Sequence, residues 1–90
     1  MFKTLEELIA TIRQRKDSSA EDSYTKKLLK NKKLSIEKVK EEIAELIDAI
    51  EKDTNKVHES ADVLYHLMVL LEANGIKIED VMDELKKRQK

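Results

Sequence analysis

Glu41-Glu42-x-x-Glu45 and Glu59-x-x-Asp62 gather five carboxylates into two short blocks. On a helix, residues three and four apart are neighbours, so each block turns its acids to one side, where like charges repel unless a cation sits among them. Hard divalent cations prefer oxygen donors, and Mg²⁺ in particular bridges carboxylates to substrate phosphates. The chemistry this pattern points to is metal-assisted hydrolysis of a phosphate anhydride. The plainer alternative is a solvated helical face, since the chain carries 19 acidic residues and helical Glu is commonly exposed.

Composition narrows the elements that must position these acids. Ninety residues make one domain, residues 1–90, with a core small enough that oligomerisation is an expected supplement. Charged residues are 41% of the chain, yet the formal net charge is −1; that balance argues against a nucleic-acid-binding arm or a membrane-surface binder. There is no cysteine, hence neither disulfide nor thiolate site. The start, Met1 to Glu7, lacks the apolar run of a signal peptide, and the most apolar stretch, Val63 to Leu71, is too short to span a bilayer. A cytoplasmic location is expected. With no proline, one glycine and no strand-type alternation, the fold class is all-α.

The spacing predicts a first helix over about Thr4–Lys16, with Thr4 and Glu7 as a capping box and Leu5, Leu8, Ile9 and Ile12 as its apolar stripe. Asp17 to Asp22 reads as a polar loop. Ser23 can cap a short helix carrying Tyr24, Leu28 and Leu29, and Asn31-Lys32-Lys33 reads as a break. Ser35 is the expected N-cap of a third helix ending near Glu51. A turn at Lys52-Asp53-Thr54, with Thr54 as cap, leads into a fourth helix that ends near Asn74, with Gly75 in the left-handed conformation. So short a connection makes the third and fourth helices antiparallel neighbours. The last helix covers about Ile78–Lys87.

Each helical residue advances about 100°. With Glu41 at zero, Glu45 lies at about 40°, Lys38 at about 60° and Glu42 at about 100°, while the stripe Ile36, Val39, Ile43, Leu46, Ile47, Ile50 spans about 140° to 240°. Glu41 and Glu45 should point away from the core and Glu42 should flank it. On the fourth helix Glu59 and Asp62 lie beside an apolar arc wide enough for more than one neighbour, including a second subunit. His66 reads as a packed, hydrogen-bonded side chain on the same face as Glu59 and Asp62. Tyr65 reads as a structural or inter-subunit contact, and His58 as exposed.

The acidic blocks resemble the signature of the all-α NTP pyrophosphatase superfamily, the MazG-type fold. Arg15-Lys16 with Ser23-Tyr24-Thr25-x-Lys27-Leu28, Lys38-Val39-x-Glu41-Glu42, and Glu59-x-Ala61-Asp62-x-Leu64-Tyr65-His66-Leu67-x-Val69-Leu70-Leu71 narrow the resemblance to the phosphoribosyl-ATP pyrophosphatase family of histidine biosynthesis. It runs from about Leu5 to Arg88. The resemblance implies hydrolysis of phosphoribosyl-ATP to phosphoribosyl-AMP and pyrophosphate, Mg²⁺, and an antiparallel bundle of four to five helices completed by homodimerisation or a higher assembly. It assigns the metal to Glu42, Glu45, Glu59 and Asp62, with Glu41 as a further ligand or water-positioning base. Lys26 stands where the family has a small residue, the glycine near Asn31-Lys32 is missing, and Lys77 replaces a cap residue.

Hydrolysis between the α and β phosphates needs an activated water and neutralisation of the departing pyrophosphate. Four or five carboxylates exceed what one Mg²⁺ takes from protein, so two or more ions are expected with substrate. Glu41 or Glu42 is the expected proton acceptor. Arg15, Lys16, Lys27 and Lys38 are the expected phosphate contacts, Lys38 also offsetting the acids. The competing readings are a house-cleaning nucleotide pyrophosphatase of the same fold and a non-catalytic helical interaction protein.

Overall fold

The computed structural model describes residues 1–17 and 23–89, and among these there are five helices and no strand. The all-α expectation holds. α1 (Lys3–Asp17) starts one residue before the expected cap: the Glu6 N–H donates to the Phe2 carbonyl at 3.2 Å, so Thr4 lies inside the first turn. The expected polar loop falls on residues 18–22, outside the described residues, while Asp17 closes α1. α2 (Tyr24–Lys30) opens as expected, with Ser23 extended and its Oγ accepting the Lys26 N–H.

The expected break at residues 31–33 shrinks to Asn31. Its N–H donates to the Lys27 and Leu28 carbonyls, closing α2, and its Oδ1 accepts the Leu34 N–H at 3.0 Å, opening α3 (Lys32–Lys52). Asparagine caps as well as serine, and lysines propagate a helix, so the start moves from Ser35 to Lys32. Asn31 has φ −118, so the junction needs no glycine. Ser35, 2% exposed, faces inward from the first turn.

α3 ends in a Schellman closure: Thr54 N–H donates to the Ala49 carbonyl and Asp53 N–H to that of Ile50. Asp53 and Asn55 both take left-handed backbone, at φ 56 and 44, a region Asp and Asn tolerate better than other side chains. α4 (Lys56–Ala73) is capped by Asn55 without a side-chain bond, not by Thr54, which lies one residue earlier in the closure of α3. The far end matches expectation. Gly75 has φ 68, Ile76 N–H reaches the Leu71 carbonyl at 2.9 Å, Gly75 N–H that of Glu72 at 3.2 Å, and the Asn74 side-chain amide donates to the Leu70 carbonyl. α5 covers Ile78–Arg88, and Lys77, which has no side-chain acceptor, makes no cap bond before it.

Ile12, Leu28, Met68 and Val69 form the buried core, flanked by Leu5, Leu8, Ile9, Leu29 and Tyr65. It sits where α1 and α2 meet α4. The buried side of α4 is therefore rotated from the expected apolar arc, which includes Val57 and Leu64 and leaves out Val69: Val69 is fully buried, while Val57 and Leu64 are exposed. α3 packs along α4 as the antiparallel hairpin expected, but its apolar stripe divides. Ala49, Glu42, Ser35, Leu46 and Val39 run from about 80° to about 160° on the wheel and are mostly buried or half-buried. Ile50, Ile43, Ile36 and Ile47 run from about 180° to about 240° and are 42–57% exposed. A stripe this wide offers two sides, and α4 takes only the one that includes Glu42. Glu42 thus sits in the middle of the α3–α4 seam and does not merely flank the core. α5 buries no residue. Ile78 joins the core, and Arg13 grips Glu79 with two hydrogen bonds, at 2.9 and 2.6 Å. No helix of the described residues is long and apolar enough to cross a membrane.

Candidate active site

The α3–α4 hairpin brings the two acidic blocks together. One carboxylate oxygen each of Glu42, Glu45 and Glu59 lie within 4.8 Å of one another, and a second group within the same limit joins Glu59 and Asp62 to His58. Glu59 belongs to both. Glu42 Oε2 and Glu59 Oε2 are buried with no hydrogen-bond partner. An orphaned carboxylate oxygen is costly unless a cation or water satisfies it, and an all-oxygen set with two such atoms fits a hard divalent ion. Burial pushes the Glu42 carboxyl above its usual range, aided by the adjoining carboxyl of Glu45 and the charge of Asp62, and opposed by His66. Glu59 is raised in the same way, first by burial, then by Glu45 and Asp62. His58 is exposed, as expected, yet its Nε2 reaches Asp62 Oδ2 at 3.4 Å.

Glu41 lies at the mouth of this cluster. With Glu45, Asp48, Thr54, Asn55 and Glu59 it lines an open groove of about 470 Å³. Asp48, one turn beyond Glu45 on α3, and Thr54 and Asn55, in the turn between the helices, are groove residues that the sequence pattern did not single out. Lys38 Nζ donates to Glu41 Oε2 at 3.3 Å, and that bond raises the lysine above its usual range. The other cations are dispersed. Lys27 is exposed on α2 and Arg15 at the end of α1. Lys16 Nζ donates to the Glu72 carbonyl at 3.1 Å, on the order of 15 Å along α4 from Asp62. Arg13, beside these in sequence, is committed to Glu72 and Glu79.

A block of three rings borders the acids. His66 is buried, as its sequence context indicated. Its Nδ1–H donates to the Asp62 carbonyl at 2.9 Å, and in the neutral ring Nε2 accepts the Tyr24 hydroxyl at 3.0 Å. Tyr24 and Tyr65 lie near parallel, with centroids 6.4 Å apart and planes 16° from parallel; the His66 ring stands nearly perpendicular to both. Tyr65 is hydrogen-bonded to Thr25. Burial pushes the Tyr24 hydroxyl up, opposed by Lys38 and reinforced by Tyr65, Glu42 and Glu41. Tyr65 and Thr25 are thus internal partners in this chain, and Lys26, between Tyr24 and Lys27, is buried.

The family described as phosphoribosyl-ATP pyrophosphohydrolase matches residues 5–89. The chain belongs to this family. A phosphoribosyl-ATP pyrophosphatase of Haloarcula marismortui is 43% identical over 90 residues, covering 94% of this chain and 92% of that one. One from Rhodopseudomonas palustris, phosphoribosyl-ATP pyrophosphatase 1, is 44% identical over 88 residues, 94% of this chain and 82% of its own. A histidine biosynthesis bifunctional protein of Pyrococcus furiosus is 45% identical over 87 residues, and there the chain spans 41% of the longer protein. The family match thus extends over both acidic blocks and the ring block beside them.

Proposed function

We propose that this chain hydrolyses phosphoribosyl-ATP to phosphoribosyl-AMP and pyrophosphate, the second step of histidine biosynthesis, in the cytoplasm and with Mg²⁺. The observation that carries the reading is the convergence of Glu42, Glu45, Glu59 and Asp62 around one shared carboxylate in a member of a family whose relatives bear that activity's name. Bound Mg²⁺ would supply positive charge against the polyphosphate oxygens and make a water more acidic. Glu42, Glu45, Glu59 and Asp62 would hold it, and the number of carboxylates calls for two or more ions with substrate. Glu41, exposed at the groove, or Glu42 takes the proton of the attacking water. Lys38 balances charge at the rim, with Lys27, Arg15 and Lys16 as further cations for the phosphates.

The assembly is a homodimer. Ile36, Ile43, Ile47 and Ile50 form one outward face of α3, and contiguous exposed apolar residues of this kind mark an interface. The deciding assay is pyrophosphate release from phosphoribosyl-ATP and from a panel of deoxynucleoside triphosphates, with and without Mg²⁺. Release from phosphoribosyl-ATP only with Mg²⁺, lowered by orders of magnitude in Glu42→Gln and Asp62→Asn, is expected. Preference for the deoxynucleotides would reassign the substrate, and full turnover in both variants would remove the acids from the reaction.

A further inference from the structure

The acids account for the phosphates of a nucleotide and leave its base unassigned. The flattest aromatic surface beside them is the Tyr24–Tyr65 pair. Tyr65 is fixed by its bond to Thr25 and Tyr24 by its hydroxyl on His66, so two elements, α2 and α4, hold the rings near parallel. Tyr65 lies offset and near parallel beside Tyr24, which remains 48% exposed. The block adjoins the acidic site through His66, whose Nδ1–H is bonded to the Asp62 carbonyl.

Resting on the nucleotide reading above, we infer that Tyr24 is the base-binding residue, its exposed ring stacking the purine while Tyr65, offset and near parallel, extends the aromatic surface beside it. Aromatic stacking suits this substrate for a chemical reason. It reads the π face and leaves the edges of the base free, so a purine bearing a phosphoribosyl group on its N1 edge stacks as well as an unsubstituted one. Pinning both phenols in advance lowers the ordering cost of binding. The two-residue pairs Tyr24-Thr25 and Tyr65-His66 act as one unit: in each pair one member carries a shelf ring and the other pins a ring across the α2–α4 boundary.

The test compares a ligand that has a base with one that lacks it. Calorimetry in Mg²⁺ measures ATP and inorganic tripolyphosphate binding to the full chain and to Tyr24→Phe, Tyr24→Leu and Tyr24→Ala. ATP affinity should fall about tenfold or more in the Leu and Ala variants and stay within about threefold of the parent in Tyr24→Phe. Tripolyphosphate affinity should be unchanged in all of them. Tyr24→Leu keeps an apolar side chain against Tyr65, so it tests the ring even where Ala fails to fold. Three results each overturn the shelf: ATP affinity unaltered without the ring, Tyr24→Phe as impaired as Tyr24→Leu, or ATP bound by the parent no more tightly than tripolyphosphate. Turnover of phosphoribosyl-ATP by the parent is measured separately. Its absence would overturn the proposed reaction, whereas an unchanged ATP affinity in Tyr24→Leu would overturn the shelf with turnover intact.

Discussion

Glu42 reaches into the α3–α4 seam with an oxygen that finds no hydrogen bond, beside Glu45 and within the field of Asp62. Without a cation, a carboxylate so placed opposes folding. Glu42→Gln keeps the shape and removes the charge, so in metal-free buffer it should raise Tm by about 2–5 °C while lowering turnover. Mg²⁺ should raise Tm of the parent and do much less for the variant. A parent chain whose melting ignores Mg²⁺ would contradict the assignment of these acids as ligands. Glu79 behaves oppositely. The Arg13 guanidinium holds its carboxyl down to about 2, against an ordinary 4.5. A carboxyl lowered on folding stabilises above its unfolded pKa and loses that contribution as pH falls through its folded one. Glu79→Gln should therefore lower Tm at pH 7, slightly because the pair is exposed, and the difference from the parent should close as pH falls toward about 2. A gap that persists undiminished at that pH would rule out the ion pair as its source.

The elements show which sequence signals were decisive. Gly75 was legible because only a glycine follows the last apolar turn of α4, and the structure places it at φ 68 with open space where a Cβ would go. Its constraint is conformational alone, so Gly75→Ala should cost about 1 kcal/mol, read as a lower urea midpoint with an unchanged slope; no shift would mean that the turn relaxes. The caps of α3 and α4 were misplaced for a shared reason. Asn31 and Asn55 match Ser35 and Thr54 as cap residues by type, and the ends of the preceding helices decide between them: Asn31 closes α2, and Thr54 lies in the closure of α3. The acidic cluster was legible as two blocks, since period and turn length set their faces. Its depth was not: nothing in the order of residues says which side of the isoleucine stripe α4 will cover, and that choice moves Glu42 from the margin to the middle of the seam. Tyr24 was visible in a short apolar stripe and in a segment of the family resemblance, but its place in a ring block was not, because its partners, Tyr65 and His66, are some forty residues away in the chain.

At the scale of the whole molecule, α1, α2 and α4 share one small core, and the outer isoleucines of α3 are left to solvent in the single chain. The proposed homodimer places them in an interface. Ile47→Glu sets a charge amid that face and should halve the mass seen by light scattering, with helical circular dichroism retained. An unchanged mass would move the interface elsewhere. The end of α4 has a different bearing on the life of the chain. Asn74-Gly75 is the dipeptide in which a glycine nitrogen most readily attacks an asparagine side chain to close a succinimide. Here that nitrogen's hydrogen is engaged by Glu72 and the asparagine amide is tethered to Leu70. Deamidation at this junction is thus suppressed for as long as the helix end stays closed, and its slow accumulation in a stored sample becomes a chemical clock for how often that end opens.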